Sequence, residues 1–298
     1  MADRPRKGGG EGGSSKGRRP PKGRGAEKGR GAAKKSGATR SKVRGPAKAR
    51  GAPAKVRAPQ PRGPRPVVAI FAKAPIPGQV KTRLTPALRA EEAADLYRAL
   101  LLDTIEVVES TGARVTVAFT PSTARRPLER LLGRRRHLLA QPPGDLGARL
   151  EGVLGLLQEG GGKRVLLVGS DCPGLTAERI RQAWHALESV PVVLGPALDG
   201  GFYLLGVSRA APGLLRDVPW STGKVLETTR ARLHELGLAV QELAEERDLD
   251  TPRDLFEWFV VAREAGLESA YPRTWKVLHS LMSPRRFAEL EGRLAESH

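Results

Sequence analysis

The stretch Val165–Leu175, VLLVGSDCPGL, limits what this chain can fold into more than any other. It begins with four apolar residues, Val165 to Val168, set between charged residues and Gly169. A short apolar run so bounded reads as a strand buried on both faces, as in the middle of a parallel sheet. Gly169, Ser170 and Asp171 end the run, and Pro173-Gly174 keep it from resuming. Thr176 is placed to cap a following helix, with Arg179 where a capping box would carry Glu. Asp171 then falls at the carboxyl end of a central strand, the edge where open α/β sheets bind ligands. A carboxylate there suits two tasks. One is holding a divalent cation against nucleotide phosphates. The other is closing a turn or capping the next helix.

Charge divides the chain sharply. Of its 51 Lys and Arg, 21 fall in residues 1–65, beside three acids, Asp3, Glu11 and Glu27, for a local net charge of +18. The other residues hold 30 basic and 29 acidic side chains, so the high isoelectric point belongs to the first segment alone. That segment is mainly Gly, Ala, Pro, Lys and Arg, without an aromatic residue. It cannot bury enough apolar surface to offset the entropy of ordering, and is predicted to be disordered. It resembles basic nucleic-acid-binding tails, which contact nucleic acid or other polyanions without sequence preference and in a salt-dependent way. A solubility tail or an overextended reading frame is the alternative. Cys172 is the one cysteine, which excludes an internal disulfide and fits a reducing compartment. With no His nearby in sequence, it reads as a small buried residue in a tight turn. No apolar segment follows the N-terminal charges, and no run nears the roughly 20 residues that span a bilayer. A cytoplasmic protein with no signal peptide and no membrane contact is expected.

Folding is expected from Pro66 onward. Val67–Ala72 reads as a first buried strand. The loop after it, KAPIPGQVKTRLTP, is broken by Pro75, Pro77 and Gly78 and carries Lys73, Lys81 and Arg83. Three cations on such a loop form either a cradle for a diphosphate or triphosphate or a solvated basic loop. It lacks the spacing of a Walker A loop and of a dinucleotide fingerprint. Helices are predicted over 89–110, 124–132 and about 144–159, the last capped by Asp145. Strands are predicted over 114–119, 137–140, 192–194, 202–207 and 238–243. This alternation is that of a parallel α/β sheet. Asp199-Gly200-Gly201 places a carboxylate on a loop with close backbone access, and is equally a hairpin turn signal. Ser221 or Thr222 is expected to cap a helix ending near Gly237, whose first amides could receive an anion. Asp248 and Asp250 alternate in an extended segment and so point the same way. Two carboxylates on one face repel unless a cation lies between them. Alternatively Asp250 or Thr251 caps the next helix, with Pro252 in its first turn. The remainder reads as helical, with Trp258, Phe259 and Trp275 covering an edge of the core.

The motifs FAKAPIPGQVKTRL, GDLGARL, VGSDCPGL, GPALDGGFYLLG, VPWST and RDLDTPRDL occur in this order over residues 67 to about 257. Together they resemble a bacterial family of GT-A-fold transferases, the selenodomain-associated or arsenosugar-type glycosyltransferases, related to nucleotide-diphosphosugar transferases. The resemblance implies an α/β fold with a mostly parallel sheet flanked by helices, over 66–270. It leaves 1–65 as a disordered tail and 271–298 as a helical extension packed on the same domain. It further implies that Lys73, Gly78, Lys81 and Arg83 bind the nucleotide. Asp171, Asp248 and Asp250 would hold Mg²⁺ or Mn²⁺, and Asp145, Asp199, Gly200, Gly201, Ser221 and Thr222 would lie near substrate. Lys81 and Asp199 are the catalytic candidates, Asp199 as base. Asp-Cys-Pro stands where the family pattern Asp-x-Asp would supply one more ligand.

Two reactions fit these parts. In one, an acceptor hydroxyl attacks the anomeric carbon of a nucleotide-diphosphosugar. In the other, a substrate phosphate attacks the α-phosphorus of a nucleoside triphosphate, as the similarity to phospholactate and molybdenum-cofactor nucleotidyltransferases suggests. Glycosyl transfer to a small-molecule acceptor is the leading expectation. A binding module recruited to nucleic acid by its tail is a third.

Overall fold

The structure, a computed structural model, describes residues 65–85, 87–265 and 267–295. The expectation of a disordered basic tail falls on residues 1–64 and lies outside them. Seven strands form one sheet: β1 Val67–Lys73, β2 Arg114–Thr120, β3 His137–Ala140, β4 Val165–Val168, β5 Val192–Pro196, β6 Phe202–Val207 and β7 Val240–Glu242. Their order is β3-β2-β1-β4-β6-β5-β7. β1 pairs in parallel with β2 and β4, and β2 with β3. β6 runs antiparallel to β4 and β5, and β7 lies parallel to β5. The fold is the mostly parallel α/β sheet that the sequence implies.

The apolar strands follow from burial on both faces. In β1, Val68 and Ile70 pack into one core while Val67 and Ala69 pack into the other. In β4, Leu166 and Val168 join the first core, and Val165 and Leu167 the second. Period-two alternation thus reads as a continuous apolar run, because both sides are inside. Helices α1 (Ala90–Ser110), α4 (Ala177–Ala186) and α6 (Pro252–Ala265) cover the first face. Helices α3 (Leu146–Glu159) and α5 (Val225–Glu235) cover the other, and the short α2 (Arg125–Leu132) follows β2.

Most element starts fall where the local chemistry places them. Asp145 caps α3 by accepting from the Ala148 N–H at 2.8 Å, and Thr176 caps α4 by accepting from Arg179 N–H at 3.1 Å. Thr251 caps α6: its hydroxyl accepts from Asp254 N–H, and the Asp254 carboxylate returns a bond to Thr251 N–H at 2.8 Å. That reciprocal pair is a capping box with Asp in place of Glu, and it releases Asp250 from capping duty. The cap expected at Ser221 or Thr222 is not formed. α5 starts at Val225, Lys224 precedes it without a side-chain cap, and the Thr222 hydroxyl donates to Pro219 O instead. The cause is packing. Gly200, at φ +84°, receives the Gly223 backbone so closely that a Cβ would lie 2.2 Å from Gly223 O. Residues 221–223 are therefore held in a turn with Ser221 at φ +64°.

After α6 the chain forms α7 (Pro272–Leu281) and α8 (Pro284–Ala295). α7 lies on α1, and its N-terminus is capped from outside. The buried Asp103 of α1 accepts from Thr274 N–H at 2.7 Å and Thr274 Oγ1 at 2.8 Å, and pairs with Arg273 at 3.0 Å. Tyr271, fully buried, reaches the carbonyls of Cys172 and Leu175 at 3.2 and 2.9 Å. Phe259 stacks on Trp275, and Trp258 and Phe259 are buried, as expected of a core edge. Among the described residues no helix is long and apolar enough to cross a membrane.

Candidate active site

A cavity of about 410 Å³ opens at the carboxyl ends of β1, β2 and β4. Lys73, Lys81 and Arg83 line one side, Asp171 and Asp250 the floor, and Thr120, Gln141, Leu146 and Arg149 the far wall. The loop after β1, the turn after β4 and the segment before α6 thus meet at one place.

Lys81 is the centre of it. Its Nζ lies 2.7 Å from Asp250 Oδ1 and 3.2 Å from Asp171 Oδ2, and its side chain is 4% exposed. Burial opposes the ammonium, but the charges of Asp171 and Asp250 outweigh burial and hold its pKa above the ordinary value. The backbone of Lys81 is left-handed, at φ +49°. A non-glycine residue there is strained by about 1 kcal/mol or more, which the two ion pairs offset. Arg83 stands 4.0 Å from Asp250 at the mouth.

Asp248 is the third carboxylate. Its Oδ1 is buried without a hydrogen-bond partner among the described residues. Burial, followed by the charge of Asp171, raises its pKa well above the usual carboxylate range. At Asp250 burial acts upward as well, but Lys81 brings the carboxyl below its ordinary value. Leu249 between them is fully buried, at a bend in the chain, and of the two acids Asp250 lines the cavity while Asp248 does not.

Tyr97 of α1 organises the approach. Its hydroxyl accepts from Lys73 N–H at 2.9 Å and shares a hydrogen bond with Ser170 Oγ at 2.8 Å. This fixes the end of β1 against the turn that carries Asp171. Burial, then the charge of Asp171, pushes the phenol up to about 12, so it stays protonated. Cys172 is buried and its thiol is pushed up by that burial, which suits a turn residue and not a nucleophile.

The other candidates are arranged around this cavity. Gly78 is exposed at φ +76° and turns the loop without lining the cavity. Asp145 is spent on capping α3, directly before the lining residue Leu146. Asp199, Gly200 and Gly201 form the turn between β5 and β6, where Asp199 Oδ1 accepts from Gly201 N–H at 2.9 Å. Asp199 does not line the cavity, though its charge contributes to the raised pKa of Asp248. Ser221 and Thr222 sit on the neighbouring turn, whose Trp220 packs into the space left by Gly147 in the first turn of α3. Tyr97, Ser170, Thr120, Gln141, Arg149 and Tyr203 line the cavity without having been singled out as site residues. Tyr97 carried no distinct signal, since the buried face of α1 also holds Asp103 and Thr104.

This mostly parallel sheet resembles that of the nucleotide-diphosphosugar transferases. The chain is a GT-A-like relative of that group. Residues 102–222 match the model of a family described as "Uncharacterized protein conserved in bacteria" (DUF2064). A solved structure from Desulfovibrio desulfuricans G20, provisionally named a nucleotide-diphospho-sugar transferase, matches with a TM-score of 0.71 and 26% identity over 76% of this chain and 97% of its own. CMP:2-keto-3-deoxy-manno-octonic acid synthetase complexed with CTP matches at 0.44 and 14% identity, over 67% of this chain and 100% of that one. The bifunctional IspDF of Campylobacter jejuni matches at 0.42 and 10% identity, over 64% of this chain and 53% of its own. No curated protein matches the sequence.

Proposed function

We propose that the protein is a metal-dependent transferase that takes a glycosyl group from a nucleotide-diphosphosugar to a small-molecule acceptor. The observation that carries this is the meeting of the Lys73–Lys81–Arg83 loop with Asp171 and Asp250 in one cavity, with Asp248 buried beside them. The likeness to the Desulfovibrio structure supports the donor class.

The chain's own residues divide the work. Lys73 and Arg83 receive the donor phosphates, and the apolar Leu146 and Leu150 give the base a wall to lie against. Lys81 compensates the carboxylates when they face one another and is within reach of an incoming diphosphate. The donor set is all carboxylate oxygen, which suits Mg²⁺ or Mn²⁺. The orphaned Asp248 oxygen and the two half-exposed carboxylates at Asp171 and Asp250 fit such an ion. As the side chains stand, no three His, Cys, Asp or Glu residues among those described are already gathered as a cage. Asp171 and Asp250 would hold the ion with Asp248 behind them. When bound, it would neutralise charge developing on the leaving diphosphate.

A second reading, nucleotidyl transfer from a nucleoside triphosphate, is favoured by one observation. Asp199, the candidate base for an acceptor hydroxyl, is engaged in its own turn and lies outside the cavity lining. A phosphate nucleophile is already ionised and needs no such base. Thermal shifts with nucleotide-diphosphosugars and nucleoside triphosphates, each with and without Mn²⁺, separate the two. A ligand at 100 times its Kd stabilises by about 2.7 kcal/mol. Mn²⁺-dependent stabilisation by a diphosphosugar and not by the matching triphosphate is expected. The reverse selects nucleotidyl transfer, and no shift with either overturns both.

A further inference from the structure

The amino edge of the sheet carries a second hollow, of about 450 Å³, which transfer chemistry does not use. Arg65 and Val67 at the start of β1, Arg114 at the start of β2, Lys163 and Arg164 before β4, and Trp184 on α4 line it. It shares no lining residue with the catalytic cavity. Val67 lines one and Phe71 the other, four residues apart along β1, about 13 Å at 3.3 Å per residue.

Four cations and no acid line this hollow. Arg164 is compensated: its guanidinium lies 4.2 Å from the centre of the Trp184 ring and 3.0 Å from Glu188. Arg65, Arg114 and Lys163 have no carboxylate partner among the described residues. They come from the starts of β2, β1 and β4, which lie side by side in the sheet, so their charges are spread over about 10 Å of its edge, two strand spacings of about 4.8 Å. They suit an extended anion, with its charges spaced along a chain. Val67 and the half-buried Trp184 line it as well, and with Arg164 over one face of the Trp184 ring a flat ring would lie against the other face or the ring edge. In sequence, Arg65 also closes the segment 1–65 with its net charge of +18.

We propose that this hollow binds single-stranded nucleic acid, with Arg65, Arg114 and Lys163 on successive phosphates and a base against Trp184. Cations that track a backbone beside an aromatic platform are how single strands are held without sequence preference. A duplex hides its base faces and would not use the ring.

The test uses the full chain and a fluorescent oligothymidine, read by anisotropy against salt. The double substitution Arg114→Glu, Lys163→Glu should weaken binding about tenfold. It should also flatten the salt slope by about 1.4, two phosphates at about 0.7 each. Arg126→Glu, Arg130→Glu, on the exposed face of α2, changes the net charge equally and should cost far less. Equal losses in the two variants would overturn the site. Trp184→Leu should weaken oligothymidine about fivefold or more while leaving inorganic polyphosphate unchanged, and Trp184→Phe should restore most of the loss. If Trp184→Leu is silent and polyphosphate competes as well as oligothymidine, the hollow senses bare charge and the nucleic-acid proposal fails. Should a charge reversal fail to fold, Arg114→Gln, Lys163→Gln makes the same comparison with a smaller loss.

Discussion

The two edges of the sheet both collect charge, and they do it in opposite ways. At the carboxyl edge three acids and Lys81 are crowded together, and their mutual charges shift Lys81, Asp248 and Asp250 from their ordinary values. At the amino edge Arg65, Arg114 and Lys163 are exposed and mutually independent. The first arrangement costs folding free energy, because partial desolvation of charge is only partly repaid by pairing. The second costs almost nothing. Burial of charge, more than its amount, marks where this fold gives up stability for chemistry, while exposed charge can be spread over a surface for loose attraction.

The comparison can be broken most forcefully at the carboxyl edge. Asp171→Asn and Asp250→Asn should each lower turnover by about 10²–10³-fold and abolish the Mn²⁺-dependent thermal shift, with the far-UV spectrum unchanged. Intact Mn²⁺-dependent nucleotide binding in both would show that these acids are not metal ligands. Next, Lys81→Ala leaves Asp171 and Asp250 without their buried partner, and urea unfolding should show a loss of about 3 kcal/mol.

Asp248→Asn should act in the opposite sense. The folded pKa of Asp248 lies above its unfolded value, so the folded state binds the extra proton. Wild-type stability therefore falls as pH rises from about 3.8 through the raised pKa. Removing the carboxylate should stabilise the protein at neutral pH by about 1 kcal/mol and flatten that part of the pH profile, while turnover is lost. Glu92 supplies the converse case. Arg286 of α8, together with Arg89, lowers its pKa to about 2, so its contribution is present above its ordinary 4.5 and is lost as pH falls toward 2. Acid melts of Glu92→Gln should lose that dependence. Smallest of all, Arg114→Glu, Lys163→Glu should leave turnover unaltered and stability within about 0.5 kcal/mol.

Most strands were legible because they are short apolar runs, the signature of a sheet buried on both faces; β7, Val-Gln-Glu at the sheet edge, is not, and only three of the six residues expected there form a strand. Asp171, Asp248 and Asp250 were legible for a different reason. Each sits at a fixed phase relative to a strand end or a buried neighbour, as Asp248 and Asp250 do around Leu249. What the sequence did not carry was contact between distant positions. Lys81 looks like one more phosphate-binding cation until it is seen to reach carboxylates 90 and 169 residues further on. Tyr97 looks like a core residue until its hydroxyl is found on Ser170, 73 residues away. The start of α5 was misplaced because Ser221 and Thr222 are good caps locally, yet the fit of Gly223 against Gly200 holds them in a turn. Asp199-Gly200 gave a turn signal and a ligand signal together, and the hairpin between β5 and β6 accounts for the turn.

The hydroxyl of Tyr271 has a consequence in the time domain. The turn that carries Asp171 is pinned by a residue about a hundred positions downstream, which is itself seated by Asp103 capping α7. During synthesis Asp171 leaves the ribosome a hundred residues before Tyr271, the group that immobilises its turn. Until α7 has docked, the turn that carries Asp171 lacks the two hydrogen bonds from Tyr271.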